Sequence, residues 1–146
     1  MLKNIFLLTE ERPKTDVVEK ILDIYCCKYK KEFKKLNINI KPIILDNILE
    51  YYLVEGYSIS NIFSIKLKLI SGYSSFVDYL LFESTNDPNP EEAFRYLKMA
   101  IEETKTDSGE SRNTAAGQRA TKFAFLSHYK DKFSEDFLSV MLYNDH

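Results

Sequence analysis

Three residues in this chain have the types and spacing for chemistry on phosphate esters: Asp78 in FVDYLLF, and Glu103 and Lys105 in IEETKT. Phosphodiester hydrolysis is assisted by a divalent metal that polarises the phosphoryl group and lowers the pKa of an attacking water. Hard Mg²⁺ takes oxygen ligands, often from only one or two carboxylates. A cationic side chain then helps hold the nucleophile or neutralise developing charge. If IEETKT is a strand, Glu103 and Lys105 point to the same face, roughly 7 Å apart. If it is the polar end of a helix, they stand roughly 200° apart and cannot converge on one metal. Secondary structure therefore decides between a site and an ordinary set of surface charges, in which Asp78 is a strand-end acid facing solvent. On a strand, Glu102 faces away from Glu103 and belongs to the opposite, hydrogen-bonded face.

Around these residues run a glycine-and-serine turn leading to an acid (SGYSSFVDYLL), the Glu-x-Lys segment (EETK), and a polar stretch followed by a helical pattern (TDSGESRNTAAGQRATKF). Together they resemble the PD-(D/E)XK, or restriction-endonuclease-like, nuclease superfamily, and type II restriction endonucleases in particular. The resemblance covers roughly residues 62–143. No proline precedes Asp78, and the interval to Glu103 is long enough to hold an inserted helix.

The resemblance implies that Asp78 and Glu103 are metal ligands and Lys105 the catalytic lysine, with Mg²⁺ as cofactor and Mn²⁺ as substitute. It implies endonucleolytic cleavage of double-stranded DNA, in restriction of foreign DNA, by a complete enzyme or its catalytic domain. Symmetric double-strand cutting favours a homodimer; a companion domain or subunit is the other arrangement. Ser111, Arg112, Asn113, Gln118, Arg119 and Lys122 form a polar and basic set that would contact phosphates and base edges. Loop and helix capping explains all but Gln118 and Arg119 of that set equally well. Glu50 is a weaker acidic candidate, and His128 and His146 are read as ordinary residues. Two rival readings stand beside this one: a catalytically inactive nuclease-like module that binds nucleic acid or protein, and a helical interaction module.

The elements that must position the site are an α/β (α+β) set, a central mixed sheet flanked by helices. Val17, Val18, Ile21, Leu22, Ile24 and Tyr25 recur at helical spacing, which predicts a helix capped by Thr15 or Asp16 and running to about Phe33, with Glu19 completing a capping box. Ile38 to Leu45 contains Pro42 and reads as an edge strand or extended connection. Asp46 to about Val54 is expected as a second helix ended by Gly56. Ile62 to Phe82 reads as a β-hairpin turning near Gly72. Asn89 and Pro90 open a helix that either runs on to Thr104 or gives way to a strand, Met99 to Thr106, which is the version the site requires. Thr114 to about Phe133 is expected as an amphipathic helix, and Phe137 to Tyr143 as a last strand.

A length of 146 residues suits one domain, here residues 1–60 as a helical and extended part and 61–146 as the catalytic core. With 45% hydrophobic and 29% charged residues the chain should fold. A net charge of −2 argues against binding nucleic acid by bulk charge, and the lysine-rich stretch from Lys28 to Lys41 reads as a solvated helix face. The start of the chain is too short in apolar residues for a secretory segment and nothing reaches membrane-spanning length, so a cytoplasmic protein without membrane contact is expected. Cys26 and Cys27 are adjacent and read as reduced, packed thiols.

Overall fold

Asn4 to Leu8, NIFLL, is an almost unbroken apolar run, and such a run suits a strand covered on both faces. In the computed structural model, which describes residues 2–69, 78–86, 96–105 and 138–144 (backbone alone for 104, 105 and 144), this run forms β1 (Lys3–Thr9) at the centre of the sheet. There follow α1 (Thr15–Lys28), β2 (Phe33–Leu45), β3 (Ile48–Ile59), β4 (Ile62–Leu69), β5 (Tyr79–Ser84), β6 (Leu97–Lys105) and β7 (Leu138–Asn144). The seven strands form one mixed sheet in the order β2-β3-β4-β1-β5-β6-β7. With the single described helix, α1, this is an α+β arrangement.

The helix forms where its apolar spacing predicts, with Val17, Val18, Ile21, Leu22, Tyr25 and Cys26 buried on one face. It begins without a side-chain cap, and Glu19 pairs with Lys35 at 3.0 Å instead of closing a capping box. It also stops five residues before Phe33. Lys30 adopts φ 53°, and the N–H groups of Lys30 and Lys31 donate back to the carbonyls of Cys27 and Cys26, the paired closure that satisfies the orphan carbonyls of a helix end. The lysines from 30 to 41 therefore lie on a turn and on β2, not on a helix face. Burying a side chain such as Ile21 against the sheet stabilises by about 1.5–3 kcal/mol, and α1 supplies several such contacts.

The second helix expected at Asp46 is absent; the segment is β3. Asp46 and Asn47 have φ 52° and 63°, the left-handed pair that a two-residue hairpin turn demands, so β2 and β3 pair antiparallel directly across them. Gly56 does not end a helix. At φ +82° it sits where a Cβ would lie 2.3 Å from the Leu36 carbonyl oxygen, opposite an irregularity that sets Leu36, Asn37 and Ile38 of β2 against this one residue. Pro42 stands on β2, an edge strand of the sheet, which is where a sheet tolerates proline.

Nor do residues 62–69 and 79–84 pair with each other as a hairpin. β1 lies between them, parallel to β4 and antiparallel to β5. A strand apolar on both faces is best buried between neighbours, and inserting β1 there achieves it. The expected turn at Gly72, the helix opening at Asn89 and the helix from Thr114 to Phe133 lie outside the described residues. The last strand is found as β7, parallel to β6.

On the α1 side, Ile5, Leu7, Leu67, Leu81, Met99 and Ile101 join the helix in one core. On the other side, Phe6, Leu8, Leu80, Phe82 and Ala100 are also buried. Both faces are thus closed over β1, β5 and β6. Over β3 and β4 only the α1 face is closed, and Tyr51, Leu53, Lys66 and Lys68 on the other side are half-buried. Cys26 is buried and Cys27 exposed, both as free thiols, and burial pushes the Cys26 thiol pKa up. Among the described residues no helix is long and apolar enough to cross a membrane.

Candidate functional site

The strand that the site requires is present: Leu97–Lys105 is β6, so Glu103 and Lys105 are on a strand and not on a helix. Alternation follows directly. Met99, Ile101 and Glu103 share the α1 face, and Ala100 and Glu102 the other.

β5 runs antiparallel to β6, with Tyr79 opposite Ile101, Leu80 opposite Ala100 and Leu81 opposite Met99. One step outward on this register puts Asp78 across from Glu102 and beside Glu103. Two reciprocal hydrogen bonds close that end of the ladder. The Glu103 N–H donates to Asp78 Oδ2 at 2.9 Å, and the Asp78 N–H donates to Glu102 Oε2 at 3.1 Å. Glu102 is 4% exposed, so this bond gives a buried carboxylate a donor that it needs.

Next to Asp78, the Tyr79 hydroxyl donates to Glu103 Oε2 at 2.8 Å. Burial raises the Tyr79 phenol pKa far above its ordinary value, and the hydrogen bond to Glu103 and the nearby charges of Glu103, Asp78 and Glu11 push it further. Phenolate formation there is suppressed, and Tyr79 is a fixed donor. Glu11 belongs to the turn leaving β1, which Thr9 closes by donating its hydroxyl to the Glu11 carbonyl at 3.0 Å. Arg12 ties that turn across the sheet, donating to the Ile40 carbonyl at 3.1 Å and lying 5.0 Å from the Tyr52 ring centroid.

The end of the sheet where β1 and β6 finish and β5 begins therefore gathers Glu11, Asp78 and Glu103 around Tyr79, with Glu102 on the opposite face. Among the described residues Asp78 accepts from the Glu103 N–H and Glu103 from the Tyr79 hydroxyl, and a carboxylate offers about four lone-pair directions in all. Among the described residues no group of three or more His, Cys, Asp or Glu side chains has metal-binding geometry. The donor set fits a hard cation held by two carboxylates, which is the ordinary need of Mg²⁺.

Sequence reasoning pointed to Asp78, Glu103 and Lys105 and put Glu102 on the opposite, hydrogen-bonded face, where it accepts from the Asp78 N–H, but it missed Tyr79. Tyr79 carried a usable signal: antiparallel pairing of FVDYLLF with IEETK puts the residue after Asp78 on the face of Glu103. Glu50 is exposed on β3, three strands from β5. Ser111, Arg112, Asn113, Gln118, Arg119 and Lys122, and likewise His128 and His146, lie outside the described residues. In comparisons with protein-family models, with curated proteins and with solved structures, nothing matches this chain.

Proposed function

We propose that this chain is a metal-dependent nuclease built on a restriction-endonuclease-like core, with Asp78 and Glu103 as ligands for Mg²⁺ and Lys105 as the cationic partner. The observation that carries the reading is the register that sets the Asp78 carboxylate 2.9 Å from the backbone of Glu103. An acid at the start of one strand and Glu-x-Lys at the end of its antiparallel neighbour bring two hard oxygen donors to one sheet end, with Lys105 two residues further along β6. The parallel strand β7 beyond β6 completes a mixed sheet of the kind such a core uses. When bound, Mg²⁺ would polarise a phosphoryl oxygen and lower the pKa of an attacking water. Tyr79 keeps Glu103 oriented, the Glu103 N–H keeps Asp78 oriented, and Lys105 offsets charge that grows on the phosphate. Double-stranded DNA is the proposed substrate, cut by a homodimer or with a companion subunit, in restriction of foreign DNA, with Mn²⁺ able to replace Mg²⁺.

The test is incubation with mixed plasmid and phage DNA in Mg²⁺. Discrete fragments or nicked circles are expected from wild type, and none from Asp78→Asn or Glu103→Gln. Lys105→Ala should lower the single-turnover rate by about a hundredfold, the ~3 kcal/mol typical of transition-state charge stabilisation, with DNA affinity in Ca²⁺ little changed. A rate within a few-fold of wild type removes Lys105 from the site.

A second reading has an observation of its own. Asp78, Glu102 and Glu103 all serve the protein's own hydrogen bonds, as they would in a nuclease-like module that binds nucleic acid or protein without cutting. Mg²⁺ calorimetry on wild type and Asp78→Ala separates the two, since only the first predicts heat that the substitution abolishes.

A further inference from the structure

The basic stretch from Lys28 to Lys41 is not uniform once folded. Lys35 is neutralised by Glu19 and Asp23, at 3.0 and 3.1 Å. Lys41 is exposed on the edge strand and has no ion pair among the described residues. Register carries it into a row across the sheet: Lys41 opposite Leu53, Leu53 opposite Lys66, Lys66 opposite Phe6. The next row runs Ile43, Tyr51 and, on β4, Lys68 opposite Leu8. Because Ile40, Tyr52, Val54, Ile65 and Leu67 point into the α1 core, these rows lie on the sheet's other face. That face is open over β2, β3 and β4.

Lys66 is held there by rings. Its ammonium lies 5.0 Å from the Tyr51 ring centroid and 5.7 Å from that of Phe6, and no carboxylate is within ion-pair distance among the described residues. Beside it β3 and β4 enclose a shallow depression of about 590 Å³, lined by Tyr51, Glu55, Phe63, Ser64 and Lys66 among others. Phe63 is the extra residue at a register jump between Lys3–Ile62 and Asn4–Ser64, and it is 75% exposed.

We propose that this open face of β2, β3 and β4 is a binding platform for single-stranded nucleic acid. Lys41 and Lys66 would meet the phosphates, and Phe63 and Tyr51 would stack on bases. Glu55 and Ser64 would meet base edges. Charge complementarity selects a polyanion. The exposed ring beside the depression selects unstacked bases over a duplex, whose π-faces are already occupied. The site is separate from Asp78 and Glu103 and requires no metal.

Binding is measured by fluorescence anisotropy in EDTA, with a labelled oligothymidylate of about 16 nucleotides and a duplex of the same length. The expected result is tighter binding of the single strand, with a slope of log K against log salt of about −1.4 for two lysines. A Lys41→Glu, Lys66→Glu double variant should flatten that slope by about 1.4. Phe63→Ser should weaken binding about five- to a hundredfold. Circular dichroism checks that both variants remain folded. Equal or tighter duplex binding, displacement by polyglutamate as efficient as by the strand, unaltered binding by both variants, or no binding each overturn the proposal. Asp78→Asn should bind the strand as wild type does. Wild-type protein that cuts nothing in Mg²⁺ yet binds the strand counts against the nuclease reading alone, and wild-type protein that cuts DNA yet does not bind the strand counts against this one alone.

Discussion

Substituting Asp78 separates its two roles, because the carboxylate is both the acceptor for the Glu103 N–H and a proposed metal ligand. Asp78→Ala leaves that N–H without its acceptor at 2.9 Å. An orphaned donor in a partly buried place costs about 1–3 kcal/mol. For a chain near 150 residues each kcal/mol moves Tm by roughly 2–4 °C, so the alanine variant should melt about 6 °C below wild type. Asp78→Asn keeps an oxygen in the same place and loses only the charge assistance of the bond, about 1 kcal/mol, or about 3 °C. Mg²⁺ adds the second axis: at ten times Kd it stabilises a protein that binds it by about 1.4 kcal/mol, which is about 4 °C here. Melting curves of the three proteins with and without Mg²⁺ read all of this. The expected pattern is a metal-dependent rise for wild type alone and an asparagine variant between the other two. If alanine and asparagine melt together, the hydrogen bond is not what Asp78 contributes. If Mg²⁺ lifts the asparagine variant as much as wild type, Asp78 holds no metal.

Gly56→Ala should cost about 2–5 kcal/mol by urea unfolding, since its Cβ would lie 2.3 Å from one backbone carbonyl oxygen and 2.7 Å from another, at φ +82°. Asn47→Ala should cost about 1 kcal/mol through φ 63° in the β2–β3 turn, and Asn47→Gly nothing or less than nothing; the same denaturation series checks both. Tyr25, Tyr57 and Tyr79 all have phenol pKa values raised by burial and by hydrogen bonds to carboxylates or a thiol. Their contribution is complete below the unfolded value of about 10 and is lost as pH rises beyond it. The urea midpoint should therefore hold to about pH 10 and fall above it, and less steeply in Tyr79→Phe.

Periodic segments were readable because their period reports burial on one face. α1 shows this with Val17, Val18, Ile21 and Leu22, and β6 with Met99, Ile101 and Glu103. Where burial is two-sided the period vanishes, and β1 went unnoticed behind NIFLL. Asp46 misled for a chemical reason: the short acidic side chain that caps a helix also tolerates the left-handed backbone of a tight turn, and only the neighbouring Asn47 tips the balance. The supposed hairpin from Ile62 to Phe82 failed because chain neighbours often pair but need not. Nothing within residues 62–82 says that a strand from the N-terminus will take the place between them.

For the site, spacing alone placed Glu103 and Lys105 on one strand face, but spacing could not bring Asp78 to them. That depends on the pairing of β5 with β6, and a shift of one residue would put Asp78 beside a different backbone group. The register is held by what flanks it. Leu80, Leu81, Phe82, Met99, Ala100 and Ile101 are all within 2% of complete burial, so a slip would exchange side chains of different size between two closed layers, forcing Ile101 into the space that Ala100 fills. The carboxylate of Asp78 is thus positioned by the backbone of β6. Geometry of that kind inherits the rigidity of the sheet, which is what a site needing sub-ångström placement of two oxygen donors requires.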